Sequence, residues 1–359
     1  MTEVQAGLHI APQSSVGVAE AVVLDVGHGN CAILRDGDTC AVVDARSGTL
    51  LLSELQRMGI RRIEHVVLSH SDEDHIQGAL QLLPHHDFSI GKVWANSDSA
   101  KDSDLWDELL ALIDHLDASG LLEAQIGIST AQRDRLGFGR VGISVLHPTP
   151  YEIGHGPGKA KGSRPRFTTN GLSVVLKVSL EGEPILLLPG DIDSPGLQRM
   201  LQRHPDISVH TVVYPHHGGG NGGGSHGGFV KSLGDASKPE MVVFSMGRDR
   251  FRNPVPEVVA AFGESFPSTR IACTQLSSYC HAGELPSVER KHLGKRAAAG
   301  LADGKCCAGT LTITVAEGEV KVHPEPGAHR DWIRGNVQAP MCSSVLPLPG
   351  QRPSSAAEE

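Results

Sequence analysis

VVLSHSDEDHIQG, residues 66–78, is an apolar run that ends abruptly in polar side chains. Its first three residues predict a buried strand, because an unbroken apolar run is typical of a strand covered on both faces. His70, Asp72, Asp74 and His75 follow at once, and imidazole and carboxylate groups bind divalent cations. Alternate residues of an extended turn project to one side, so His70 and Asp72 can bind one ion. Asp74 and His75 can then reach a second ion, whereas the alternative interpretation is a solvated acidic turn with incidental histidines.

Two later apolar runs end in the same way. PILLLPGD (184–191) places Asp191 at a strand end, where a carboxylate can bridge two ions, and TVVYPHHGG (211–219) ends in His216 and His217. Coordination to a cation offsets the desolvation of such buried groups. The three segments together predict a centre of two divalent metal ions held by His70, Asp72, Asp74, His75, Asp191 and His216.

Asp74 and His217 are the expected catalytic residues of this centre. Asp74 can orient a nucleophile or relay its proton while also contacting a metal ion. His216 is preferred over the adjacent His217 as the ligand, and His217 is then a ligand, a proton donor or a support for its neighbours.

Composition limits the class of protein. The 359 residues include 39% hydrophobic residues, enough for a substantial core, and the formal net charge of −9 argues against non-specific coating of nucleic acid. The first twenty residues lack a secretion signal, and no apolar run reaches the roughly 18 residues of a membrane helix. We therefore expect a cytoplasmic protein with no membrane partner. Seven cysteines, an odd count, favour reduced thiols over a disulfide framework.

Short β-branched runs joined by Gly and Asp turns dominate from Ala21 onward, with helices predicted over 48–59 and after Ser103. The apolar face of the second helix is formed by Leu105, Leu109, Ile113 and Leu116. Because several neighbouring strands are linked by hairpin-length turns, the pattern favours two sheets covered by helices, a four-layer αββα sandwich of the α/β (α+β) class.

The sequence resembles the metallo-β-lactamase superfamily, and most closely the C-terminal hydrolase-like domain of ComEC-type bacterial DNA-uptake proteins. The matching stretches cover roughly residues 20 to 320 and are LDVGHGNCAIL, VVDA at Asp44, SHSDEDHIQG, NGLS at Asn170, LLLPGD, PHHGG and FSMGRDRFRNPVPEVV. The resemblance implies the αββα fold with its metal site at one edge, a hydrolytic reaction, and DNA as substrate class.

This resemblance also organises the chain. We expect an N-terminal extension (1–19), a hydrolase domain (20–325) with an insertion at about 276–305, and a partly disordered C-terminal tail (326–359). The cysteines that flank the insertion are interpreted as buried free thiols, with a structural zinc ion or a redox pair as the alternative. They are Cys273, Cys280, Cys306 and Cys307, with His281 beside them.

The chain departs from the wider superfamily at several positions. Its first motif reads His-x-Asp-x-Asp-His where the superfamily has His-x-His-x-Asp-His, so manganese or magnesium competes better with zinc. The superfamily's additional histidine has no clear counterpart; Asn170 occupies a plausible location and His147 is a weaker alternative. Asn253-Pro254 replaces His-Pro, which places a substrate or acid role there in doubt.

The resemblance places Asp25, His28 and Asp44 near the metal ions. Asp44 suits a carboxylate that orients a ligand imidazole, and His28 suits a substrate contact. Asp25 and Asp44 can equally cap tight turns.

A flexible basic loop leads towards Asn170 and can grip a phosphate backbone, although charge runs in loops are more often only solvated. Its basic residues are Lys159, Lys161, Arg164 and Arg166.

We therefore expect a metal-dependent phosphodiesterase or nuclease that uses a hydroxide bridging two metal ions (zinc or manganese, with magnesium as a further possibility), acting on nucleic acid or another phosphodiester. One alternative is a hydrolase of a small ester, lactone or cyclic nucleotide, because one metal centre serves many reactions. A non-catalytic scaffold that retains the fold is the other. DNA import is not expected to transfer, because the sequence shows no membrane channel.

Overall fold

The computed structural model describes residues 17–98, 100–158, 167–248 and 250–342. In these ranges the first sheet has eight strands in the order β14-β13-β1-β2-β3-β4-β5-β6. Its strands are β1 (Ala19–Val23), β2 (Ala32–Asp36), β3 (Thr39–Val43), β4 (Arg62–Val67), β5 (Ser89–Ala95), β6 (Glu123–Ile126), β13 (Leu311–Ala316) and β14 (Glu319–His323). The strands from β3 to β6 run parallel, and the others pair antiparallel.

The second sheet has six strands within the described ranges, in the order β12-β11-β10-β9-β8-β7. They are β7 (Val141–His147), β8 (Val175–Leu180), β9 (Glu183–Leu188), β10 (Thr211–Val213), β11 (Met241–Phe244) and β12 (Arg270–Cys273). The strands from β9 to β12 are parallel, so their carboxyl ends meet at one edge.

Helices cover the outer face of each sheet. Those against the first sheet are α1 (Gly48–Arg57), α2 (Glu73–Ile76), α3 (Ala79–Leu82) and α4 (Asp104–Ala118). Those against the second are α6 (Ser194–Arg203), α7 (His226–Ser237), α8 (Pro256–Ser265) and α9 (Pro326–Asn336). The short helix α5 (Pro150–His155) follows β7, and two 3₁₀ turns lie at Asn170–Leu172 and Pro215–Gly218.

Side chains that alternate along each strand separate the core between the two sheets from the cores under the helices. In β1, Ala21 and Val23 face the second sheet, whereas Val22 packs under the helices of the first sheet. The side-chain period of two residues requires this division when both faces of a strand are buried. The prediction of an αββα sandwich is confirmed.

The helix predicted after Ser103 is α4, and its details differ from the sequence interpretation. Ser103 occupies the N-cap position, but its side chain makes no capping hydrogen bond. Trp106 is buried on the apolar face with Leu109, whereas Leu105 is only partly buried. The helix therefore begins where predicted, with its apolar face rotated towards Trp106.

The packed chain continues beyond residue 325, where the sequence interpretation ended the hydrolase domain. Helix α9 buries Trp332 and Ile333 against the second sheet's outer core, because its apolar residues share one helical face. The insertion is also anchored, since Arg296 pairs with Glu20 and with Glu54 of α1. No helix in the described ranges has the length and apolarity needed to cross a membrane.

Candidate metal centre

The polar ends of β4, β9 and β10 meet at one edge of the sandwich. The two sheets join there through a hydrogen bond from the Val174 amide to the Ser69 carbonyl (2.9 Å). Gly190 lies in this junction with a φ of 54°, and a Cβ on it would approach the Ser69 and Ser173 side chains to 3.0 Å. Glycine is favoured at this position because both the left-handed backbone and the close packing disfavour a side chain. The turn directs Asp191 towards the residues that follow β4.

One donor cluster consists of His70, His75 and Asp191, all buried. One ligand atom from each residue lies within 4.8 Å of the others. The His70 and His75 rings are 4.1 Å apart, and His75 Nε2 lies 3.5 Å from Asp191 Oδ1. Neither His70 Nε2 nor His75 Nε2 has a hydrogen-bond partner.

Asp44 determines the tautomer of His75. Asp44 Oδ2 lies 2.7 Å from His75 Nδ1, and Asp44 also accepts hydrogen bonds from the Ser69 amide (2.7 Å) and hydroxyl (2.9 Å). Because an ionised carboxylate only accepts, His75 Nδ1 carries the proton and the Nε2 lone pair points into the cluster. Burial opposes protonation of His75, but the charges of Asp44 and Asp191 outweigh it and raise the pKa of His75 well above its usual value. A cation that binds at His75 Nε2 therefore displaces a proton from that nitrogen.

A second donor cluster consists of His28, Asp74 and His217. His217 Nδ1 lies 2.7 Å from the Ser245 carbonyl oxygen, and its Nε2 lies 3.2 Å from Asp74 Oδ2. Since the carbonyl only accepts, Nδ1 carries the proton and the Nε2 lone pair of neutral His217 faces a carboxylate. That arrangement is repulsive unless a proton or a metal cation lies between the two groups.

The neighbouring His216 also contacts Asp191. Its amide donates to Asp191 Oδ1 at 2.9 Å, and its Nδ1 lies 3.5 Å from Asp191 Oδ2. The buried Nε2 of His216 has no hydrogen-bond partner. Both His216 and His217 have left-handed φ values of 52° and 54°, a strained conformation that is typical of functional sites. His217 shares a tight donor cluster, whereas His216 lies in the wall of the neighbouring cavity.

The chemistry of these groups fits divalent cations. Burial disfavours the ionised form of Asp191, but the neighbouring His217 and His75 outweigh it and hold the pKa of Asp191 well below its usual range. The same balance lowers the pKa of Asp74, where burial is outweighed by the neighbouring imidazoles of His217 and His28. Ionised carboxylates beside imidazole nitrogens that lack partners form the mixed oxygen and nitrogen donor set that divalent metals bind.

Asp72 lies at the rim of the centre. Its Oδ2 is 3.4 Å from His70 Nε2, and its Oδ1 accepts a short hydrogen bond from Lys101. Asp72 belongs to neither tight cluster. No local motif marks Lys101, because its position beside Asp72 depends on the loop that follows β5.

A cavity of about 530 Å³ opens beside Asp72 and His216, which approach His70 and Asp191 of the first cluster. Among its lining residues are Asp72, Phe167, Thr169, Asn170, Asp193 and His216. Asn170 therefore lies in the same cavity wall as Asp72 and His216. The weaker alternative, His147, is buried, with its Nε2 3.0 Å from the Gly171 carbonyl and its Nδ1 3.5 Å from Glu152.

Other residues singled out by sequence have different surroundings. The Asp25 carboxylate accepts hydrogen bonds from Gln275 (2.9 Å) and the Gly300 amide (3.0 Å), so it anchors the insertion and has no access to substrate. Asp25 also accepts a hydrogen bond from the Gly27 amide (3.1 Å), which fits the alternative interpretation as a cap of a tight turn. Asn253 is buried and approaches the His216 carbonyl at 3.4 Å, which supports the turn that carries His216.

The basic loop predicted from sequence falls outside the described residues, so its contacts are not assigned. This applies to Lys159, Lys161, Arg164 and Arg166.

All seven cysteines are free, and six are buried. Burial raises the pKa of the Cys273 and Cys307 thiols well above the usual value. Cys307 Sγ lies 3.3 Å from His329 Nε2, but the described residues hold no tight three-donor group around these thiols. The thiols therefore fit the interpretation as buried residues of the core.

Residues 24–230 match the Metallo-beta-lactamase superfamily. The chain therefore belongs to the metallo-beta-lactamase superfamily, a superfamily of metal-dependent hydrolases, and this membership was predicted from its motifs. Over 248 residues, 67% of this chain, it is 25% identical to the Competence protein ComA of Neisseria gonorrhoeae. The matched region spans only 29% of that relative.

Two solved structures are similar to parts of this chain. The metallo hydrolase Igni18 from Ignicoccus hospitalis is 13% identical, with a TM-score of 0.40 over 71% of this chain and 94% of that one. The metallo-beta-lactamase fold protein YhfI from Bacillus subtilis is also 13% identical, with a TM-score of 0.43 over 71% of this chain and 96% of that one.

Proposed function

We propose that this protein is a phosphodiesterase or nuclease that depends on two divalent cations. The observation that carries the proposal is the convergence, at one sheet edge, of two clusters of histidine and aspartate donors, with an open cavity beside Asp72 and His216. The residues that would hold the cations are His70, Asp72, Asp74, His75, Asp191 and His217, with His216 at the cavity wall. Cations in such a centre lower the pKa of water and stabilise negative charge on a substrate.

The protein's own contribution begins with orientation. Asp44 and the Ser245 carbonyl hold His75 and His217 with their Nε2 lone pairs directed into the centre. Fixed ligands lose little conformational freedom when a cation or substrate binds, which favours binding and keeps the reacting groups in position.

Asp74 has the geometry of a proton acceptor. Its side chain is 22% exposed, whereas that of Asp191 is 8% exposed, so Asp74 is the more open carboxylate of the two clusters. An ionised and partly exposed carboxylate can accept a proton from an attacking water. His216 and Asn170, which line the cavity, can donate hydrogen bonds to substrate oxygens.

A phosphodiester fits the surroundings of the centre. The lining combines the hydroxyl of Thr169, the amide of Asn170 and the imidazole of His216, and Lys101 places an ammonium group at the rim beside Asp72. Such donors suit the anionic oxygens of a phosphate. The similarity to a competence protein, together with the motifs shared with ComEC-type DNA-uptake proteins, favours DNA among the phosphodiesters.

The experiment is a substrate screen with the metal-loaded full chain. The substrates are single- and double-stranded DNA, RNA, bis(p-nitrophenyl) phosphate, and an ester and a lactone as the competing class. Asp72→Ala and His75→Ala should lower phosphodiester turnover by at least about 100-fold, the lower range for loss of a group that stabilises transition-state charge. Asp235→Ala, which changes a surface ion pair of α7, is the control and should keep full turnover.

Each alternative has its own signature in this screen. Hydrolysis of the ester or lactone without hydrolysis of any phosphodiester would identify a small-molecule hydrolase. Unchanged behaviour of both centre variants, with no turnover of any substrate by the unaltered protein, would indicate a scaffold. Either result contradicts the proposal.

A further inference from the structure

His28 is held at the centre by the turn between β1 and β2. Its neighbours Gly27 and Gly29 have φ values of 77° and 134°, a backbone that other residues rarely adopt. A Cβ on Gly247 would lie 2.6 Å from the His28 amide nitrogen, so the loop after β11 packs directly on this turn. The His28 side chain is 8% exposed. This turn therefore fixes an imidazole in a largely buried position.

The imidazole of His28 converges with that of His217 on a single carboxylate oxygen. His28 Nε2 and His217 Nε2 each lie 3.2 Å from Asp74 Oδ2. The rings of His28 and His217 are 4.3 Å apart, and Phe251 packs 4.6 Å from the His28 ring. His28 is thus enclosed by two rings and aimed at the donors of the second cluster.

The hydrogen bond of His217 to the Ser245 carbonyl leaves an unfavourable contact in this cluster. The Ser245 carbonyl commits the proton of neutral His217 to Nδ1, so His217 presents a lone pair to Asp74. His28 Nδ1 is buried and has no hydrogen-bond partner. One cation between the three residues can bind Nε2 of both rings and the carboxylate at once.

We propose that His28 is a direct ligand of the second cation, together with Asp74 and His217. This inference rests on the proposed two-cation centre and adds a ligand to it. Two imidazoles and one carboxylate form a donor set that favours a first-row transition metal such as Mn²⁺ or Zn²⁺ over Mg²⁺, which prefers oxygen ligands. The second site should therefore prefer such metals because two of its ligands are imidazole nitrogens. These imidazoles belong to His28 and His217, which lie in loops that are distant in the chain.

Metal binding by the full chain tests this ligand. Equilibrium dialysis against Mn²⁺ or Zn²⁺, followed by elemental analysis, measures stoichiometry and the dissociation constant of each site. His28→Gln removes the imidazole and keeps a polar side chain, and His28→Asn is a second, smaller variant. His85→Gln, a histidine outside both clusters, is the matched control. Circular dichroism of each variant in chelator confirms that it folds before metal is added.

The unaltered protein should bind two equivalents. In both His28 variants the first site should be unchanged, and the second should bind at least about tenfold more weakly, as expected for loss of a residue that shapes a metal site. The preference for Mn²⁺ over Mg²⁺ at the second site should also shrink. An unchanged second site in either folded variant, or a single equivalent in the unaltered protein, overturns the inference.

These outcomes are independent of the proposed reaction. Two equivalents with His28-dependent affinity, combined with no hydrolysis of any phosphodiester, would reject the proposed substrate and leave the metal ligand established. Phosphodiester hydrolysis combined with unchanged metal binding by the His28 variants would reject the ligand and leave the activity established.

Discussion

Replacing Asp44 by asparagine should weaken metal binding although it leaves the size of the side chain unchanged. The Ser69 amide can only donate, so the asparagine carbonyl must take the place of Asp44 Oδ1, 2.7 Å from that amide. The new amide NH₂ group then faces His75 Nδ1, where Oδ2 stands at 2.7 Å. It donates to Nδ1 and moves the His75 proton to Nε2, which removes the lone pair that faces the centre.

The size of the effect follows from this exchange of tautomers. Partners that orient a ligand imidazole contribute about 10- to 100-fold to metal affinity. That range corresponds to about 1.4 to 2.8 kcal/mol of binding free energy. Because the variant also replaces charged hydrogen bonds in a buried site, we expect a loss of about 1.5 to 3 kcal/mol of unfolding free energy in the metal-free protein.

Competition with a chromophoric chelator measures the metal dissociation constants, and urea unfolding in chelator measures the stability separately. Asp25→Asn is the matched control, since Asp25 is an equally buried carboxylate whose partners lie in the insertion. It should lose stability while its metal dissociation constants stay within about twofold of the unaltered protein, as expected for a residue without shared partners. If Asp44→Asn binds metal as tightly as the unaltered protein, the tautomer argument is wrong.

Two further predictions concern the parts of the chain that support the centre. Arg296→Ala removes a guanidinium group that pairs with the buried carboxylates of Glu20 and Glu54. It should lower the unfolding free energy by about 3 kcal/mol in urea titrations. The control variant Lys295→Ala should change the unfolding free energy by less than about 0.5 kcal/mol. Equal losses of unfolding free energy in the two variants would refute the role of the Arg296 ion pairs. Burial lowers the pKa of His329 from 6.5 to about 3. Between these two pH values the unfolded chain binds a proton at His329 that the folded chain does not bind. The unfolding free energy should therefore fall as the pH drops below about 6.5. His329→Gln should reduce the difference in urea midpoint between about pH 7 and about pH 5, and an unchanged difference would contradict this assignment.

Much of the fold was accessible from local patterns. Apolar runs that end in His70, Asp191 or His217 mark the strands whose carboxyl ends carry the centre, because the period of a strand and the polarity of its end are properties of adjacent residues. The shared motifs then predicted the αββα arrangement and the superfamily, and both are confirmed.

The partners of those residues depended on tertiary structure. Asp44 against His75, the Ser245 carbonyl against His217, and His28 against Asp74 join segments that are distant in the chain. Asp25 has the same local setting as Asp44, a carboxylate after an apolar strand, yet its hydrogen bonds go to the insertion. Sequence periodicity specifies which face of an element is buried, but the direction of a side chain towards a particular partner is decided by how two sheets, their turns and an inserted segment pack together.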